Sequence, residues 1–148
     1  MARSAAKERV IYPFEKHVLN PVVMLAWQIG IPPPGDALLE TTGRRTGLAR
    51  HTPVCDGLDG ETFWLVAQHG RRADWVRNIE ADPRVRVRFR TGSGVGWRAG
   101  TAHILDDDDA RERQRLAGRG DPARRLCFFA SAAMGTVPLT VRIDLDPR

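Results

Sequence analysis

Six short strand-like runs, punctuated by turn residues, constrain this chain more than any other feature. They cover residues 37–42, 49–55, 62–67, 84–90, 97–105 and 137–145. The fourth, Arg84-Val85-Arg86-Val87-Arg88-Phe89-Arg90, alternates strictly, the pattern of a strand with one buried and one polar face. Asp59-Gly60 is a strong hairpin signal, residues 92–96 read as a turn, and Gly43 and Gly47 bracket the tip between the first two runs. Short strands in hairpin order, with helices at the ends and in the crossovers, favour a closed or partly closed antiparallel barrel.

Helical signals surround this β-rich centre. Phe14, Val18, Val22, Leu25 and Ile29 recur at helical spacing, so the first thirty residues are expected to form one or two amphipathic helices. Asn20-Pro21 pairs a capping residue with a proline suited to a first turn. Ile31-Pro32-Pro33-Pro34-Gly35 is a stiff connector. Residues 73–81 read as a short helix ended by Asp82-Pro83. A further helix opens on the acidic run 106–109 and turns arginine-rich toward Arg115, matching the helix dipole. Pro122–Met134 is the last. At 148 residues the chain can bury about 70% of its unfolded surface as one core. The reading is α+β, mainly β. Residues 1–35 form a helical segment and connector, and residues 36–148 the barrel.

Composition narrows the function. The net charge is +5, with Lys7 and Lys16 the only lysines, so the positive charge is almost all arginine. Arginine presents a planar fork to phosphate and carboxylate. Cys55 and Cys127 lie far apart and match no metal or redox spacing, which reads as two isolated thiols in a reducing cytoplasm. The first residues, MARSAAKERV, lack the apolar core of a secretory signal. The longest apolar run, 21–27, is far short of the ~20 residues that span a bilayer. A soluble chain, monomeric or homodimeric, is expected.

One segment, 38–83, needs a functional explanation. Gly43-Arg44-Arg45-Thr46-Gly47, with Arg50 just beyond, can converge backbone N–H groups, a hydroxyl and guanidinium groups on an anion. Gln68-His69-Gly70 ends an apolar strand, and glycine there lets backbone approach a flat ring. Trp75 and Asn78, three apart, share one face of the short helix, in the core or behind such a ring. Together these suggest a phosphorylated, ring-bearing cofactor. Other features have structural explanations. The arginines at 84, 86, 88 and 90 are the polar face of a strand without interleaved aromatics, which argues against nucleic acid. The aspartate run lacks the spacing of a calcium loop. His17, His51, His69 and His103 show no metal-ligand spacing, and no nucleophile triad is recognisable.

The run LLETTGRRTG, then TPV, FWLVA, Trp75, Asn78 and ADPRV, resembles the deazaflavin (F420)-dependent nitroreductase family, actinobacterial oxidoreductases of the split β-barrel superfamily. The resemblance is dense over 38–87 and looser to Leu145. It implies a six-stranded antiparallel split β-barrel with an N-terminal helix and flanking helices, binding coenzyme F420. Gly43, Arg44, Arg45, Thr46 and Arg50 would hold the phosphate and acidic tail. Thr52, Pro53, Val54, Ala67, Gln68, His69 and Gly70 would surround the ring, with Trp75 and Asn78 beside it. The implied activity is hydride transfer from F420H2 to a small apolar acceptor (a quinone, enone or nitroaromatic). Phe128, Phe129 and Met134 are expected to line the acceptor pocket, with His69 and Tyr12 the candidate catalytic groups. The best-known members carry serine and lysine where Gln68 and His69 stand, and tyrosines in the late helix, which here has none. An FMN- or haem-binding barrel and a non-catalytic deazaflavin carrier or sensor are the alternatives.

Overall fold

The computed structural model describes residues 20–92 and 94–148. Phe14, Val18, Tyr12 and His17 lie outside them. The elements in chain order are α1 (Asn20–Gln28), β1 (Asp36–Thr42), β2 (Ala49–Cys55), β3 (Leu58–Asp59), β4 (Thr62–Ala67) and α2 (Asp74–Ala81). They continue with β5 (Arg84–Thr91), β6 (Gly94–Leu105), α3 (Ala110–Ala117), α4 (Pro122–Met134) and β7 (Leu139–Leu145), and a 3-10 turn covers Gly70–Arg72.

The seven strands form one antiparallel sheet in the order β2-β1-β5-β6-β7-β4-β3. Phe63 of β4 and Phe89 of β5 are separated by two strands, yet their ring centroids lie 5.6 Å apart. Only a curled sheet brings them together, so the architecture is a half-barrel. Its concave face holds Leu39, Phe63, Leu65, Val87, Phe89, Val141 and Ile143, all essentially inaccessible to solvent. The alternation expected of β5 is present: Val85, Val87 and Phe89 are buried between outward arginines. Each arginine is engaged within the fold. Arg84 pairs with Asp146 and Arg86 with Glu40; Arg88 lies 5.5 Å over Trp27, and Arg90 donates to the Pro32 carbonyl.

The expected pattern needs five corrections. There are seven strands rather than six, because the two-residue β3 pairs with β4 across the Asp59-Gly60 turn and is too short to show a period. Hairpin order holds for β1–β2, β3–β4, β5–β6 and β6–β7, but β4 pairs with β7 and β1 with β5. β7 carries Val141, Ile143 and Leu145 into the core, and a strand so buried takes partners on both edges. It begins at Leu139, because the Val137 N–H is spent on the Gln68 carbonyl and Pro138 has none. The acidic run does not itself form helix. Asp109 is the N-cap of α3, accepting from the Glu112 N–H at 3.2 Å, while Asp106 pairs with Arg71 and Asp108 with Arg113.

The cysteines need the remaining correction. Cys55, at the end of β2, and Cys127, in α4, form a disulfide across a sequence separation of 72. This pairing removes the sequence argument for a reducing compartment. Among the described residues no helix is long and apolar enough to cross a membrane.

Candidate active site

Two features lie along the β1–β2 hairpin. At its tip, Gly43 N–H donates to the Leu48 carbonyl and Gly47 N–H to the Gly43 carbonyl, both at 2.8 Å, closing a tight loop. A Cβ at Gly43 would stand 2.9 Å from Thr46 Oγ1 and 3.2 Å from the Leu48 carbonyl, so a larger residue there would have to push the Thr46 hydroxyl aside and crowd the turn. Buried Asn78, on α2, anchors the loop. Its Oδ1 accepts from the Arg44 backbone N–H at 3.2 Å and from Arg44 Nη1 at 2.9 Å, and its Nδ2 donates to Thr41 Oγ1 at 3.1 Å. Arg44 also pairs with Asp74 at 3.3 Å. Arg44 is therefore committed to holding the loop. Among the described residues, Arg45 has no hydrogen bond or ion pair, and Arg50 reaches only the Thr46 hydroxyl, at 3.5 Å. Two exposed guanidiniums remain for an anion.

The second feature is a largely apolar cavity of about 750 Å³. One wall is β2 from His51 to Cys55, another is Gln68, His69 and Trp75, and a third is α4 through Phe128, Ser131 and Met134. Met24 of α1 adds to the rim. β2 links the features, and the five steps from Arg50 to Cys55 cover about 17 Å at strand rise. An elongated ligand can lay an anionic end on the loop and a flat end in the cavity.

The expected site residues fall into distinct places. Thr52, Pro53, Val54, Gln68, His69, Trp75, Phe128 and Met134 line the cavity. Ala67 is core, packed with Ala73 and Val76. Gly70 has φ +58°, and a Cβ there would meet the Val137 carbonyl at 2.9 Å, so it sets the backbone path rather than the cavity wall. Phe129 is 73% exposed and faces a second cavity, between α3 and α4. His69 is buried and its Nδ1 lies 3.3 Å from Thr136 Oγ1, which excludes a solvent-facing strand end. Gln68 Nε2 donates to buried Gln114 at 2.7 Å, while its Oε1 is buried and has no hydrogen-bond partner among the described residues.

Sequence reasoning missed Asp36, His51 and Ser131, which also line the cavity. His51 Nε2 meets Glu40 Oε2 at 2.8 Å; Arg86 and then His51 hold the Glu40 carboxyl below its ordinary range. Asp36 is different. Burial pushes its carboxyl up from the ordinary 3.8 to about 6. A raised folded value means that the native state holds this proton more tightly. Its contribution to stability is therefore full below about pH 4 and is lost as pH rises through about 6. Asp36→Asn is expected to raise stability by about 1–2 kcal/mol at pH 8, after allowing for screening, and to change little at pH 4. Urea unfolding at the two pH values checks this.

An antiparallel half-barrel with an apolar cavity beside an arginine-bearing hairpin tip defines a split-barrel protein of the flavin and deazaflavin oxidoreductase class. Residues 23–146 match the family model of the F420H(2)-dependent quinone reductases, and the chain belongs to that family. It is an F420H2-dependent oxidoreductase with coenzyme F420 as its cofactor. No curated protein sequence matches it significantly. Solved structures share the fold. HutZ, the heme storage protein from Vibrio cholerae, superposes with a TM-score of 0.54 at 14% identity, over 86% of this chain and 90% of HutZ. The F420-H2 dependent reductase FDR-A gives 0.50 at 23% identity, over 76% and 94%. A domain-swapped dimer gives 0.53 at 19% identity, over 99% and 100%.

The residues present fit such a cofactor. The loop pinched at Gly43 and the two available guanidiniums suit a phosphate, and the cavity has the size and largely apolar lining a ring system needs.

Proposed function

We propose that this protein reduces a small apolar acceptor (a quinone, an enone or a nitroaromatic) at the expense of F420H2. The observation that carries the reading is the continuity along β2 between a loop with uncommitted arginines and an apolar cavity walled by His69, Trp75 and Phe128. Arg45, Arg50 and Thr46 receive the phosphate and acidic tail, with Arg44 and Asn78 holding the loop in shape. Thr52, Pro53, Val54, Gln68 and His69 pack the ring, and Phe128, Met134 and Met24 shape the space over it. When bound, the reduced cofactor supplies a hydride, the cofactor carrying the hard chemistry while the protein orients it. The apolar walls exclude water from the reacting carbons and hold the acceptor in register. His69, in the wall, is the group we assign to protonate the reduced acceptor.

Titration of the purified protein into coenzyme F420 tests the first half. Fluorescence of the cofactor is expected to shift with saturation at micromolar protein, and FMN is expected to compete poorly. Oxidation of F420H2 by menadione tests the second half. Binding without oxidation would replace the enzyme by a carrier; tighter FMN binding would replace the cofactor.

A further inference from the structure

The cavity wall holds a chemistry that deazaflavin-dependent reduction does not use. Asp36 and Cys55 are direct cross-strand partners on β1 and β2, so their side chains leave the same face of the hairpin. Cys127 comes down to them from α4. Its Sγ is bonded to Cys55 and lies 3.2 Å from Asp36 Oδ1. One helical turn further on, Ser131 places its Oγ 3.4 Å from Cys55 Sγ. Asp36, Cys55, Cys127 and Ser131 all line the cavity, so a small molecule inside it can reach the disulfide. The two sulfurs are not equivalent. Cys55 is 7% exposed and faces a hydroxyl, whereas Cys127 is more open and faces a carboxylate.

We propose that Cys55–Cys127 is a redox-active disulfide that exchanges with small thiols entering the cavity. Asp36 acts as the base toward the attacking thiol, and Ser131 as hydrogen-bond donor to the departing sulfur. In the first step a thiol gives its proton to Asp36 as its sulfur bonds to Cys127. The Cys55–Cys127 bond breaks, and its electron pair leaves on Cys55 as a thiolate held by the Ser131 hydroxyl. The proton then passes to Cys55. In the second step another thiol attacks the small-molecule sulfur of the mixed disulfide. It releases an oxidised disulfide and leaves Cys127 as a thiol that donates to Asp36. The two incoming thiols supply two electrons and two protons, and both protons end on the cysteines.

The electrostatic surroundings suit this role. Desolvation alone raises the Asp36 carboxyl, placing it between an ordinary carboxylate and an ordinary thiol, so above about pH 6 it is a base of useful strength. Charges on the packed elements are occupied elsewhere. Asp56, just beyond β2, pairs with Arg124 of α4 at 3.2 Å, and Arg90 of β5 is turned to the Pro32 carbonyl. Reduction also cuts the one covalent tie between two walls of the cavity, β2 and α4.

The test uses 2-mercaptoethanol and no deazaflavin, so it stands or falls apart from the proposed reductase activity. The air-oxidised protein is expected to show no free thiol under denaturing conditions, and two after reduction. Relative to Asp36→Asn, the wild type is expected to be reduced about 10-fold faster at pH 7.5, with the advantage disappearing as pH falls through about 6. Asp36→Glu is expected to restore the pH step, and Ser131→Ala to slow reduction without moving it. Two free thiols in the air-oxidised protein, or equal rates for the wild type and Asp36→Asn from pH 5 to pH 8, would overturn the proposal.

Discussion

Replacing Arg45 and Arg50 together by alanine is expected to weaken binding of coenzyme F420 about 100-fold. A hydrogen bond to a charged group contributes about 1.5–3 kcal/mol, and exposure puts each arginine at the lower end, near one factor of ten. The structure selects this pair over Arg44. Arg44 is spent on Asn78 Oδ1 and on Asp74, so its loss acts first on the loop. The comparison is Arg86→Ala with Arg88→Ala, which removes the same formal charge. Arg86 pairs with Glu40 and lies 4.8 Å over Trp97, and Arg88 lies over Trp27. That variant is expected to change affinity less than threefold, the remainder being long-range attraction that added salt screens. Fluorescence titration of both variants at low and high ionic strength decides it. Equal losses from the two pairs would mean diffuse charge rather than a built anion site.

How much of this could be read from the chain depends on the range of the interaction. β2 and α4 begin and end where local signals put them: Gly47 two residues ahead of Ala49, Asp121-Pro122 opening the helix and Gly135 closing it. The period-two face of β5 was equally legible, because alternation is a property of seven consecutive residues. The two-residue β3 offers no period, and the insertion of β7 between β6 and β4 is decided by packing across the whole sheet. The site divides the same way. A glycine–arginine tip and a strand end at Gln68-His69-Gly70 are local, so they were visible. Which arginine is free is not local, since Arg44 is taken by residues 30 and 34 positions away. Asp36 looks like an ordinary residue at a strand start. It acquires its character only when β2 and α4 close over it with the two cysteines.

Asn78 is where fold and function meet, and Asn78→Ala is expected to cost both. Its amide satisfies three groups: the Thr41 hydroxyl, the Arg44 backbone N–H and the Arg44 guanidinium. Thr41 and Asn78 are 2% and 4% exposed, so water cannot freely replace the lost partner. Leaving buried polar groups unpaired costs about 1–3 kcal/mol each, and with the packing lost the expected destabilisation is about 3 kcal/mol. The midpoint in urea should fall without a change in slope. The functional loss has a different signature. Without Asn78, Arg44 keeps only its contacts with Asp74 and its backbone N–H loses its partner, so the 43–47 loop is held less firmly. Arg45 and Arg50 are then presented less well, and F420 affinity is expected to fall about 10-fold under conditions where the variant is still folded. Asn78→Asp separates the two effects. It keeps an acceptor for both Arg44 donors and loses the N–H toward Thr41, so it should retain cofactor affinity better than stability. If instead both variants keep the affinity of the wild type, the loop is not the anion site, and the cofactor must be held from the cavity alone.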